Sequence, residues 1–366
     1  MNAAGLAQPC QWQFQSASGP EVRTGSKLVF DTARARAVLF GGSTTGSVRP
    51  DTTWEWDGAS WSLLPATLAS GRIWHAMAFD SARNRTVLFG GATPAGNYSN
   101  ETWVYDGTSW MLATSTGPTP RNGVALAFDS VRNVAVLFGG FNGVRLNDTW
   151  EWNGTAWTQR SPGTASEPQP RHFAAFAFDA ARHVCVLFGG NGPIGYLGDT
   201  WEYDGAIWTQ HNAPGPAPRA NCAITYDPGE HAVLMFGGQQ PGTTGEDLWK
   251  WDGAAWNPVS AVGPAARYNA PMVYDAARHN IVLFGGTVAG VITSETWLLS
   301  CEPAACYPNC DSSTVQPILN VADFICFMNK YAAGASEANC DGSTAPPVLN
   351  VADFICFMNT YAAGCS

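Results

Sequence analysis

Charge is scarce in this chain. Charged residues fill 13% of its 366 positions, and no run of 18 apolar residues occurs. The first shortage argues against many solvated helices. The second gives no expectation of a membrane-crossing helix. Basic residues are outnumbered 19 to 29, for a net charge of −10, which disfavours nucleic acid and anionic membranes as partners. The six histidines are scattered, so no compact Cys/His metal cluster and no Ser-His-Asp arrangement is indicated. What is abundant is glycine, proline and tryptophan, at 39, 24 and 16 residues, a composition suited to turn-rich β structure. Ten cysteines, most of them near the C-terminus, indicate an oxidising compartment. The protein is therefore expected to be secreted or held at a cell surface. Met1 to Gln8 is read as a start residue joined to the end of a removed leader.

A repeat of about 49 residues occurs six times, with the pattern R…FD-x-x-R…VLFGG…W-E-[WY]-[DN]-G-x-x-W. The first glycine of each pair is Gly41, Gly90, Gly139, Gly189, Gly237 or Gly285, and each follows by 18 residues an arginine: Arg23, Arg72, Arg121, Arg171, Arg219 or Arg267. A first tryptophan comes 11 to 13 residues after the first glycine, and in five units a second follows seven later. Each unit reads as four short strands. Residues 76–79 exemplify the first, and the apolar run 86–89 exemplifies a second strand buried on both faces. The third carries W-x-[WY]. An Asp-Gly or Asn-Gly turn leads to the fourth, because both residues tolerate positive φ.

The Gly-Gly pairs, the spaced aromatics and the period resemble the Kelch repeat. The resemblance implies an all-β six-bladed β-propeller, expected over residues 10–301. Trp297 has no second tryptophan after it, whereas Trp12 precedes Arg23 by 11, the distance from Trp61 to Arg72. The N-terminal segment is thus expected to complete the last blade. Cys10 and Cys301 then fall together at that blade's hairpin, and a disulfide between them would tie the ends. For so long a loop the chain-entropy argument gives roughly 5 kcal/mol.

Residues 306–366 hold a second repeat, of 30 residues, each copy a polar loop followed by an amphipathic helix. The duplication looks like a dockerin of the Gly-Cys-ending type, giving a small α-helical, disulfide-rich domain after the propeller. That resemblance implies Ca²⁺ held by Asp311, Ser313, Asn320 and Asp323, and by Asp341, Ser343, Asn350 and Asp353. It also implies a cohesin-like scaffold partner. Val315 and Ala345 stand where dockerins carry an acid, which would weaken the ion's hold. A second reading remains open: Asn320 and Asn350 are simple helix N-caps, with Asp323 and Asp353 completing a capping-box-like pair. Internal symmetry suggests disulfides Cys310–Cys326 and Cys340–Cys356, leaving Cys306 and Cys365 to pair by elimination. Cys185 and Cys222 are expected to be buried thiols.

Positions that recur in every unit build the fold, and positions that break the repeat are free to serve function. Fifteen tryptophans fill three repeated columns, and only Trp74 falls outside. At the inner-strand end after each arginine, the candidates for a ligand face are Trp74, His75, Asn122, His172, Phe173, Asn221, Tyr268 and Asn269. The variable loops add Tyr98, Phe141, Asn142, Arg145, Tyr196 and Gln240. This mix of aromatic platforms, amides and guanidiniums suits a glycan or protein ligand. Arg72, Arg121, Arg171, Arg219 and Arg267 have two readings: contacts to ligand carboxylates, or braces bonding backbone carbonyls. The leading expectation is a non-catalytic binding scaffold tethered by its tail. One alternative is a carbohydrate-active lyase, epimerase or oxidase using His75, His172 and Tyr268. The other is a self-assembling structural subunit.

Overall fold

A computed structural model describes residues 10–16, 18–67, 70–301, 325, 326, 328 and 329. Cys10–Ser300 is one compact unit, and Met1–Pro9 with Cys301–Ser366 is another. In the second unit, residues 325, 326, 328 and 329 are helical.

The larger unit contains six four-stranded antiparallel sheets. Their first strands are Lys27–Asp31, Ala76–Asp80, Ala125–Asp129, Ala175–Asp179, Ala223–Asp227 and Met272–Asp275. Each first strand packs beside the next, and the sixth packs beside the first, so the sheets form a closed circle. The fourth strand of the sixth sheet is the N-terminal Gln11–Ser16. It pairs with Thr296–Ser300, setting Trp12 opposite Leu299 and Phe14 opposite Trp297. The second strands are the core: Val38, Leu39, Leu88, Leu137, Leu187, Leu234 and Leu283 have no solvent exposure. Apolar runs on both faces are what strands sandwiched between neighbouring sheets require.

Backbone hydrogen bonds close this circle twice. The second glycine of each pair donates to the carbonyl of the next sheet's arginine, from Gly42 N–H to Arg72 O at 2.9 Å round to Gly286 N–H to Arg23 O at 3.1 Å. Those first glycines are held by sterics: a Cβ on Gly139 would lie 2.7 Å from Arg171 O, at a φ of +64°. The second circle lies at the axis. Gly25, Trp74, Gly123, Phe173, Asn221 and Asn269 all have φ between 56° and 65°. Each N–H donates to the preceding residue's carbonyl, ending with Gly25 N–H to Asn269 O at 3.1 Å. We call this second circle the collar.

Side chains join the sheets as well. Five of the six fourth-strand indoles donate to a threonine hydroxyl of the preceding sheet, as in Trp110 to Thr53 at 2.9 Å and Trp157 to Thr102 at 2.7 Å. At each turn the second arginine binds its own aspartate, for example Arg34 to Asp31 at 2.7 Å and Arg132 to Asp129 at 2.7 Å. Where Glu230 replaces that arginine, it accepts instead from Lys250 at 2.8 Å. Cys10, Cys301 and Cys326 are disulfide-bonded. Cys185 and Cys222 are free thiols, with burial pushing Cys222 up to about 12.

Candidate ligand-binding face

The arginine column is built into the fold. Arg23, Arg72, Arg121, Arg171, Arg219 and Arg267 are at most 2% exposed. In each sheet Nη1 donates to the first glycine's carbonyl at 2.9–3.1 Å. In five sheets a carboxylate two residues before the first tryptophan also binds the guanidinium. Asp148 accepts from Arg121 at 2.6 and 2.9 Å, and its Oδ2 accepts from Trp150 Nε1 at 2.8 Å. Asp199 and Asp247 repeat this fork, while Glu101 and Glu295 make single contacts at 3.0 and 2.7 Å. The guanidiniums are thus occupied within their own sheets. Bonding to backbone carbonyls is the brace, and the carboxylates complete it. This acidic column went unread in the sequence because Asp and Glu alternate in it, although its fixed offset from tryptophan was the available signal.

The collar positions the rest of the face. Trp74 lies over Gly25 and Phe173 over Gly123, where a Cβ would come within 2.9 Å and 2.8 Å of the respective rings. With no side chain between them on Gly123, the Trp74 and Phe173 rings meet edge to face at 5.6 Å. From there the contacts continue outward: Phe173 to His172 at 4.5 Å, His172 to Phe141 at 5.4 Å, and Phe141 to Tyr98 at 6.1 Å. Five rings from three sheets form one arc. Trp74 and Phe173 are large residues in the left-handed region, a conformation that costs roughly 1–3 kcal/mol each and occurs where surrounding structure enforces it.

The opposite side of the collar is amide-rich. Asn221 donates to Gln239 Oε1 at 2.9 Å, and Tyr268 and Asn269 are half-buried beside it. Asn122 is buried and pairs through its backbone with Phe141. Arg145 is clamped by Asn191, through its carbonyl and its Oδ1, both at 3.1 Å. Asn142 donates to Thr119 at 3.2 Å. Tyr196 and Gln240 stand on the neighbouring hairpins.

His75 is a correction. Sequence position put it on the face, but it is fully buried and packs against the Phe40 ring at 5.6 Å. The left-handed turn at Trp74 sends the next side chain into the space between two sheets. Burial, with Arg72 and Lys27 nearby, pushes its pKa well down. His172 remains at the face, but burial and then Arg145 hold it down at about 4. The two imidazoles are not gathered as an acid–base pair. Among the described residues, no group of three or more His, Cys, Asp or Glu could hold a metal ion. Asp311, Ser313, Asn320, Asp323, Asp341, Ser343, Asn350 and Asp353 lie outside the described residues, as do Cys306, Cys310, Cys340, Cys356 and Cys365. Among the described residues no helix is long and apolar enough to cross a membrane.

The family model of the KLHDC2/KLHL20/DRC7 Kelch-repeats domain matches residues 108–256. Together with the repeated four-stranded sheets, that match supports a Kelch-type fold. No curated protein matches the chain.

Proposed function

We propose that the chain is a six-bladed Kelch-type propeller acting as a non-catalytic binding scaffold, and that its collar face reads an extended glycan or protein segment. The observation that carries this reading is the arc from Trp74 to Tyr98, five touching rings held by a strained backbone and opposed by amides. Ring faces stack on sugars or on side chains, while Asn and Gln supply directional hydrogen bonds. A neutral His172 and a buried His75 favour recognition over acid–base catalysis. The C-terminal residues would serve as a dockerin-like, Ca²⁺-dependent tether to a cohesin-like partner, in a protein exported to an oxidising environment. The test is binding to glycan and peptide arrays by wild type and Trp74→Asn, with and without calcium. Asparagine suits the left-handed backbone, as at Asn221 and Asn269. The variant should fold with an unchanged melting transition and lose at least about tenfold in affinity, roughly the worth of one aromatic stacking partner. Ligand capture that survives Trp74→Asn undiminished refutes the assignment of the face.

A further inference from the structure

Two cavities lie along the axis and share a ring of six apolar side chains: Leu28, Met77, Leu126, Phe176, Ile224 and Met272. On the collar side the space is about 130 Å³. On the other side it widens to about 390 Å³, within the range of small-molecule sites. The wider vestibule is walled by the aromatic of every Phe-Asp or Tyr-Asp pair, from Phe30 round to Tyr274, and no charged side chain lines it. The inner space has a single charged lining residue, Lys27. In the other sheets that position is Ala76, Ala125, Ala175, Ala223 or Pro271. Lys27 is solvent-accessible within the channel, whose enclosure lowers its pKa, and among the described residues no carboxylate pairs with it.

An ammonium with no counter-ion among the described residues, at the inner end of a channel that widens into an apolar vestibule, is complementary to an apolar molecule with one negative end. We propose that the channel binds an amphipathic monocarboxylate, with its apolar chain in the vestibule and its carboxylate against Lys27. The inner strands, five residues long in five of the six sheets, span roughly 16 Å, which suits an acyl chain of medium length. The collar residues close the inner space at its far end, but the proposal rests on Lys27 and the apolar ring and not on the reading of the face.

The test is calorimetric titration of the full chain with decanoate, 1-decanol and decylammonium below their micellar concentrations. Decanoate should saturate at one per chain, with decanol and decylammonium weaker by about tenfold or more. Lys27→Met keeps the length of the side chain and should reduce decanoate to the level of decanol, leaving decanol itself unchanged. Absence of saturable decanoate binding, or equal affinity of wild type for decanoate and decanol, overturns the proposal, as does full decanoate affinity in a folded Lys27→Met variant.

Discussion

The first sheet lacks the carboxylate that braces the other five arginines, and restoring it should stabilise the protein. Thr52 stands at that position. Its hydroxyl and Trp54 Nε1 are buried with no hydrogen-bond partner among the described residues. Arg23 turns instead to Glu21, whose carboxylate lies 2.8 Å from Nη2 in a poorly aligned contact and is itself half-exposed. In Thr52→Asp, Oδ2 would accept from Trp54 as Asp148 accepts from Trp150, and Oδ1 would face Arg23. Relieving a buried orphan donor is worth about 1–3 kcal/mol. Desolvating a new carboxylate offsets part of that, and Glu21 already supplies some of the charge. A net gain of about 1 kcal/mol follows, or about 1–2 °C in melting temperature for a chain of this size. Thr52→Asn, which can accept from Trp54 without neutralising Arg23, should gain less. In a Glu21→Gln background, Thr52→Asp should gain more. Scanning calorimetry of wild type, the two Thr52 variants, Glu21→Gln and Glu21→Gln/Thr52→Asp measures these differences. If Thr52→Asp melts no higher than wild type in either background, the column is not the brace that the five other sheets suggest.

Breaking an existing brace should cost more than completing the missing one. Asp148→Ala leaves Arg121 buried without its counter-charge, so a loss of about 3–5 kcal/mol is expected in urea unfolding; Glu101→Ala, where the acid is 38% exposed, should lose much less. His172 has a folded pKa of about 4, below its unfolded value of about 6.5. The unfolded chain therefore binds the proton first, and stability falls as pH drops from about 6.5 towards 4. His172→Gln should flatten the stability–pH curve in that window while leaving stability above pH 7 little changed.

The period of 49, the Gly-Gly pairs and the tryptophan columns made the four-strand unit legible, because each depends on backbone geometry that few residues satisfy. The missing second tryptophan after Trp297 pointed to the N-terminal segment, and Trp12 now stands opposite Leu299. Trp74 and Phe173 were visible as departures from the columns. What the sequence could not show was direction. His75 is one residue from Trp74, yet a positive φ at Trp74 separates a side chain on the face from one inside the barrel wall. Lys27 escaped notice for the opposite reason. A lysine near a strand end looks like ordinary surface, and only the closed circle of first strands makes that surface a channel.

The remaining imperfections follow from the same columns. Among the described residues, four indoles besides Trp74 have buried Nε1 atoms with no partner: Trp12, Trp54, Trp56 and Trp152. In the third aromatic column, Tyr105 donates to Glu55, Tyr203 to Glu151 and Trp251 to Glu202, each acid belonging to the preceding sheet. For Trp152 the equivalent residue is Val104, and for Trp56 it is Leu298. For Trp12 the residue equivalent to the threonines that accept from the other fourth-strand indoles is Leu248, and Trp54 lacks an acid because Thr52 replaces it. Each orphan thus marks one lost partner in an adjoining sheet rather than a local defect. The apolar packing of an indole, with 150–250 Å² buried, outweighs one missing hydrogen bond of about 1–3 kcal/mol, so the column tolerates the loss. Trp74 has no such explanation in the repeat. Its strained backbone and unpartnered nitrogen sit at the collar, where no other sheet supplies a precedent for an indole, and that is why the binding reading rests on it.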